Sequence, residues 1–504
     1  MMIDKDDIFS LKSDLEWLDD IPNKIQSVFL DELYHHGVFN EVYNKYKRNW
    51  LGKKKRVSRK PVGVWGWNSW CGIHTFPLLT GPSIGKIYKK TVEVGLDNLE
   101  EGTGMLPHAV LHGGPDVNTM EDGFARNPTY RCYGGEHGEA YNLDNILCWA
   151  KMAMEYFLAT NDKEWFTRDT FRKITTSIDY ILNNLRDKYN PSLVYIGVEG
   201  DWTENNDWEG DSGNVNANML RTLELAMHSQ ELLDYKGTEL DYLELSNEIY
   251  DNFNKPVKEG GLWDEEHGYY ICGNDGKGTM IHGDTFFEST VNYFSILWDI
   301  APDDYQERIW DYVNNNRDNL ELPYPVLTNH KPRTGARRKH YGKSVTNGDI
   351  WMVLGSHAAA ARLQSGYIKE GTEMYKIIVD YDKTHDCLHN NLYQDGSANK
   401  SWDPEIGNNG AYFASLVLGV LGIKLQARGL EFNVTGLQGL NELTMNLFFN
   451  GKKLELHLAW NDGKMESIRI RRLDASGGML DEVTSNKRSF VLGRDFPLRL
   501  LRVD

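Results

Sequence analysis

At 504 residues the chain exceeds the usual span of a single hydrophobic core, so one large domain with an appendage, or several smaller domains, are expected. Its formal net charge of −18 sets up a field that repels nucleic-acid phosphates and anionic lipid, so neither nucleic acid nor membrane is expected as a partner and a neutral ligand fits better. Hydrophobic residues make up 40%, enough for a globular core, yet no apolar run is long enough to cross a bilayer, and residues 1–20 are acidic and polar where a secretory signal would be basic and then apolar; a cytoplasmic protein is the resulting expectation.

Along the chain, apolar residues recur at helical spacing over 22–48, 83–100, 142–160, 163–187, 213–235, 239–254, 285–300, 303–317, 347–365, 368–382 and 408–422. The segments come in pairs. Ala159-Thr160-Asn161-Asp162, Tyr235-Lys236-Gly237-Thr238 and Ala301-Pro302 read as tight turns, whereas 188–212, 255–284, 318–346 and 383–407 are long connections. Long connections at every second position emerge at one end of a helical toroid and wall a cavity there. The pairs repeat at roughly 65–70 residues, too long for the usual superhelical arrays, and a closed double ring of helices, an (α/α)6 barrel, matches the pair count.

From residue 424 the pattern changes to period two, as in Leu430-Glu431-Phe432-Asn433-Val434 and Lys453-Leu454-Glu455-Leu456-His457-Leu458. Asn450-Gly451, Asp462-Gly463 and Gly477-Gly478 break this stretch, which predicts an antiparallel β-domain. The expected organisation is mainly α: a helical lead-in over 1–55, a barrel catalytic domain over 56–423 and a small β-domain over 424–504. The five cysteines (Cys71, Cys132, Cys148, Cys272 and Cys387) are odd in number and lack Cys-x-x-Cys spacing, so neither a disulfide framework nor a zinc site is indicated.

The stretch that carries most chemistry is Glu199-Gly200-Asp201-Trp202-Thr203-Glu204-Asn205-Asn206-Asp207-Trp208-Glu209-Gly210-Asp211, just ahead of a long amphipathic helix. Carboxyl groups protonate a glycosidic oxygen or activate water, and an indole face stacks on a sugar ring while raising a neighbouring carboxyl pKa. Carboxylates crowded in this way repel one another, so at least one is expected to be held protonated as an acid. A solvated acidic turn capping the next helix is the alternative reading. The 15 Trp and 26 Tyr suit carbohydrate stacking, and equally suit bulky filler between helices.

Several phrases then coincide: Trp65-Gly66-Trp67-Asn68-Ser69-Trp70, Gly200-Asp201-Trp202, the hairpin-like 261–270 stretch with Trp263 and Tyr269-Tyr270, and Asn347-Gly348-Asp349-Ile350-Trp351. Together they resemble the six-hairpin glycosidases, which include the trehalases, the processing α-glucosidase and mannosylglycerate hydrolase group, the α-L-rhamnosidases and the cellobiose phosphorylase group. The resemblance covers roughly residues 60–460 through short motifs, and implies the (α/α)6 fold. It implies a general acid in the central loop and a second carboxylate near the end of the helical domain that activates water for inversion.

On that resemblance Asp201 is the acid, with Glu209, and then Glu204, as alternatives. Trp65, Trp67 and Asn68 resemble the sugar-binding Trp-x-Trp-Asp phrase of trehalase-like families, with Asn in place of Asp. Trp202, Trp208, Trp351, Trp402 and Asp349 complete the expected substrate contacts. No Glu falls where the family's base stands, and Asp395 and Glu405 are the nearby candidates; Asp349 and Asp284 also read as first-turn acids of helices.

The missing base admits a phosphorylase, in which phosphate replaces activated water and is held by the basic loop 330–340 with Arg333, Arg337 and Arg338. A polysaccharide lyase and a non-catalytic carbohydrate-binding protein are further alternatives. The first expectation is an inverting hydrolase of a small soluble, α-linked glycoside, with a carbohydrate as partner. Acid–base chemistry of this kind requires no organic cofactor and no metal.

Overall fold

The computed structural model describes residues 5–35, 37–48, 54–112, 126–130, 141–197, 200–201, 208–235, 237, 240–281, 287–317, 350–385, 388–389, 392, 396–397, 406–474, 477–495 and 497–501. In chain order the α-helices are α1 (Gly66–Ile73), α2 (Phe76–Leu79), α3 (Pro82–Leu96), α4 (Leu143–Thr160), α5 (Arg168–Asn184), α6 (Gly213–Leu232) and α7 (Tyr242–Phe253). They continue with α8 (Ser289–Leu297), α9 (Asp303–Asn315), α10 (Met352–Gln364), α11 (Ile368–His385), α12 (Ile406–Asn409) and α13 (Ala411–Ala414). π-Helical turns at Ile25–Leu33 and Ser415–Val420 precede α1 and extend α13.

Burial sorts these helices into two rings. In α4 every residue from Leu143 to Ala159 is buried, and all of α8 is buried, as in helices surrounded by protein. By contrast α5 buries a single stripe, Phe171, Ile174, Ile178, Ile181 and Leu182, at the spacing of one helical face. The inner ring runs α1, α4, α6, α8, α10 and α12–α13, each packed on the next, and α12 returns to α1. Closure needs backbone contact. A Cβ on Gly410 would lie 2.2 Å from the Cα of Gly72, so only glycine lets the last inner helix reach the first.

Around this ring stand Ile25–Leu33, α3, α5, α7, α9 and α11. Connections from an inner helix to the next outer one are short, as in 161–167, 298–302 and 365–367, and connections from outer to inner are long, as in 97–142, 185–212, 254–288, 316–351 and 386–405. All long connections therefore gather at the N-terminal ends of the inner helices, as the spacing predicts. The fold is the expected mainly α (α/α)6 barrel with a separate antiparallel sheet region.

After the barrel, Glu442–Phe449, Lys452–Asn461, Lys464–Leu473 and Met479–Ser485 form consecutive antiparallel strands. The turns at Asn450-Gly451 and Asp462-Gly463 have positive φ at both residues (52° and 69°, 49° and 74°), the geometry that matches strand twist in two-residue hairpins. A second sheet orders Lys424–Gln426, Gly429–Asn433, Ser489–Gly493 and Leu500–Leu501. Arg494 ties this unit to the barrel by donating to the carbonyls of Leu158, Gln426 and Ala427, and Asn450 N–H donates to Ala159 at 2.7 Å.

The first residues depart from expectation in two ways. The segment read as a helix over 22–48 is helical over Ile25–Leu33 and then turns, with Gly37 at φ +90°, into strands Val38–Phe39 and Glu41–Arg48. Leu11–Ser13 is a strand paired with Glu442–Phe449, in register Leu11 opposite Met445, so the chain's start completes the C-terminal sheet. The phrase Trp65–Trp70, outside every helix expected from spacing, opens the first inner helix, Gly66–Ile73, with Trp65 as its N-cap.

Candidate active site

The long connections are fastened to the barrel by one device used three times. The fourth residue of α6, α8 and α12 is a buried asparagine: Asn216, Asn292 and Asn409. Each amide accepts from and donates to the backbone of one loop residue: Asn216 to Val194 (2.8 and 3.0 Å), Asn292 to Tyr270 (2.9 and 3.0 Å) and Asn409 to Leu388 (3.2 and 3.4 Å). A primary amide presents one acceptor and a donor pair in the geometry of a peptide group, so it replaces a strand partner for an incoming chain buried away from water.

Between α1 and α6 the contacts form a chain. Trp67 N–H donates to Asn145 Oδ1 (2.8 Å), Asn145 Nδ2 to Asn142 Oδ1 (2.5 Å), and Asn142 Nδ2 to the carbonyl of Asp201 (2.7 Å). Leu143 N–H donates to Gly200 at 3.0 Å, and Asn214 Nδ2 donates to Asp144 Oδ2 at 3.0 Å. A Cβ on Gly66 would lie 2.0 Å from the Asn145 carbonyl, so glycine at the start of α1 permits this junction. The Gly200-Asp201 pair thus lies on the first turn of α4, its backbone fixed from two directions, and Asp201 is fully buried.

Glu209 stands differently. It is exposed, and its carboxylate meets the Tyr195 hydroxyl, which burial first and then the Glu209 charge push up to about 12. Asp211, on the strand Gly210–Ser212 that leads into α6, is buried, and neither of its carboxylate oxygens has a hydrogen-bond partner among the described residues. Burial above all, with the charges of Asp187 and Asp275, pushes Asp211 up to about 8. There burial and carboxylates from outside the stretch favour the protonated form. Sequence reading overlooked Asp187 and Asp275 because they lie on other connections.

Glu41 was also overlooked. It precedes the barrel, yet its Oε2 accepts from Ile406 N–H at 3.3 Å at the start of α12, and the Asn68 side chain donates to it. Burial pushes its carboxyl up to about 8 against both hydrogen bonds. A further buried carboxyl, Glu288, stands at the N-cap of α8. No local pattern marks Glu41, since the barrel-closing contact joins residues far apart in sequence.

The aromatic candidates occupy varied places. Trp65 is buried with Ala109 and Leu111 in a small cluster apart from the main core. Trp67 packs on Trp70 and Phe294, each with ring centroids 5.9 Å away, inside the barrel. Trp208 is buried against Gly273, where a Cβ would meet its ring at 2.7 Å, and Trp351 is the buried N-cap residue of α10. Trp202, Glu204, Asp284, Asp349, Asp395, Trp402, Glu405 and the basic loop 330–340 lie outside the described residues. Among the described residues no group of three His, Cys, Asp or Glu side chains is arranged to hold a metal ion, and no helix is long and apolar enough to cross a membrane. Cys71, Cys148 and Cys272 are buried.

No protein-family model and no curated protein sequence matches the chain. Solved structures do match in fold. A GH63 mannosylglycerate hydrolase from Thermus thermophilus, in complex with glucose, superposes with a TM-score of 0.54 at 12% identity, over 78% of this chain and 98% of the other. A sialidase gives 0.63 at 12% identity over 94% of this chain, and an α-L-rhamnosidase from Dictyoglumus thermophilum gives 0.55 at 12% over 93%. The chain spans 40% and 44% of those two longer proteins. At such identity the likeness establishes the fold alone, the (α/α)6 barrel.

Proposed function

We propose that this chain is a glycoside hydrolase that cleaves a small soluble, α-linked glycoside with inversion, in the cavity at the N-terminal ends of the inner helices. The observation that carries the reading is Asp201: a fully buried carboxyl whose backbone is clamped to the first turn of α4 by Leu143 and Asn142. A proton donor must be held in a fixed position and shielded from bulk water, and burial with a clamped backbone supplies both. Exposed Glu209 lacks that environment.

In this scheme the Asp201 proton passes to the glycosidic oxygen as its bond to the anomeric carbon breaks. Water attacks that carbon from the opposite face, and a second carboxylate takes the water proton. Asp395 and Glu405, which precede α12, are the proposed sources of that base. Glu41, bonded to the first N–H of α12, is a carboxyl of the same sector. Trp65, Trp208, Trp202, Trp351 and Trp402, with Asn68 and Asp349, are proposed to line the sugar subsites.

The deciding experiment is a product profile from a panel of disaccharides, with and without phosphate, followed by NMR of the released anomer. Phosphate-independent release of a sugar of inverted configuration is expected. Strict phosphate dependence with a sugar 1-phosphate product would assign a phosphorylase, an unsaturated ultraviolet-absorbing product a lyase, and binding without turnover a carbohydrate-binding protein.

A further inference from the structure

The opposite end of the barrel holds a polar cavity. It measures about 100 Å³ and lies where the inner helices end and the β-domain begins, with residues from α1, α4, α6, α8, α10 and the strands at Lys424 and Asn433 around it. Trp70 on its wall packs against the buried rings of Trp67 and Phe294, with ring centroids 5.7–5.9 Å apart.

Three polar atoms on its wall are buried without a hydrogen-bond partner among the described residues: His74 Nε2, Arg221 Nε and Ser365 Oγ. Because such atoms cost about 1–3 kcal/mol each when left unpaired, their convergence from three inner helices on one cavity points to an occupant. His74 Nδ1 donates to the Trp70 carbonyl at 2.8 Å, which leaves Nε2 as a bare lone pair. Burial chiefly, and then His357, holds this imidazole down to about 3, so it stays neutral and accepts. Arg221 Nε–H is a donor, its Nη1 being taken by Glu224 at 2.7 Å, and the Ser365 hydroxyl serves either way.

Charge narrows the chemistry. An anion would face the His74 lone pair, Glu155 and Asp299; a cation would face Arg221 and Lys424. The charged groups are matched already, Arg221 by Glu224 with Glu155 at 4.0 Å, and Lys424 by Asp299 at the mouth. Neighbouring donors and acceptors with balanced charge suit hydroxyl groups, each of which gives and accepts a hydrogen bond. We propose that this cavity binds a small neutral polyol, from a three-carbon polyol to a single sugar ring, at a site separate from the candidate active site. The inference does not depend on the reaction at the other end.

The test is saturable binding of glycerol, erythritol and D-glucose to the full chain, followed by ligand-observed NMR and by crystals soaked in the same compounds. At least one of the three is expected to bind, with density in this cavity. Affinity should fall at least tenfold, about 1.4 kcal/mol, in Ser365→Val, which fills the cavity, and in Gln306→Leu, which removes an amide from its rim, and should be unchanged in Asp201→Asn. Should Ser365→Val fail to fold, Gln306→Leu decides. The proposal is overturned by ordered water alone in the soaked cavity, by the absence of saturation up to about 100 mM, or by binding that is lost in Asp201→Asn and kept in Gln306→Leu.

Discussion

The Asn142 amide donates to the backbone carbonyl of Asp201 at 2.7 Å, while the N–H of the next residue, Leu143, donates to Gly200 at 3.0 Å. Two successive residues at the entry of α4 therefore hold two successive residues of the acidic stretch. The Asn142 side chain takes no part in capping its own helix and is committed to the loop and to Asn145. Asn142→Ala leaves a carbonyl buried without its donor, and is expected to destabilise the fold by about 1–3 kcal/mol. If Asn142 positions Asp201, kcat falls by roughly tenfold or more with little change in KM. Steady-state kinetics beside urea unfolding separates this from a purely structural loss.

Asp201→Asn keeps the shape of the side chain and removes its proton. Turnover on the natural glycoside is expected to fall by about 10²–10⁴-fold with the melting temperature preserved. Retained activity in this variant, with loss in Glu209→Gln, would move the acid to Glu209.

Asp211 gives a pH signature. Its carboxyl is pushed from an ordinary 3.8 up to about 8, so the folded chain holds this proton more tightly than the unfolded chain does. The associated stability is fully present below about pH 4 and declines by up to about 1.4 kcal/mol per pH unit until it is lost near pH 8. Glu41 and Glu155, pushed up to about 8 and about 7 chiefly by burial, act in the same direction in both proteins being compared. Wild type should therefore lose more stability between pH 5 and pH 8 than Asp211→Asn does. An equal loss of unfolding free energy between the two pH values in both proteins, measured by denaturant titration, would show that the fold does not hold the Asp211 proton more tightly.

The three asparagine clamps predict a common energetic cost. Asn292→Ala strands the N–H and C=O of Tyr270, both buried, and Asn216→Ala does the same to Val194. Each substitution is expected to cost about 2–5 kcal/mol by chemical denaturation, well above the cost of a surface Asn→Ala. Hydrogen exchange should quicken first in the clamped connection, 254–288 for Asn292 and 185–212 for Asn216.

Much of the architecture was legible in local pattern. A helix buried on one face repeats its apolar residues at 3.6, so α5, α7 and α9 were visible with boundaries off by a few residues, and the alternation of tight and long connections predicted which end of the barrel carries the loops. The short first inner helix was hidden, because Gly66–Ile73 is buried nearly all round and shows no polar face to set its period. The expected helix runs on to 48 where the structure ends it at Leu33, because Val42, Tyr43 and Tyr46, three and four residues apart, also fit one helical face.

By itself the sequence determined the helical toroid, the switch to a β-domain after residue 423 and the stretch where carboxyls crowd, because helix period, strand alternation and turn residues act over a few residues at a time. Only the tertiary structure decided that Leu11 pairs with Met445, that Glu41 bonds to Ile406 and that Asp187 and Asp275 stand near Asp211. Those relationships join segments far apart in the chain. A carboxyl's proton affinity depends on how deeply it is buried and on which charges lie near it, and both are set when the ring closes through contacts that no local pattern encodes.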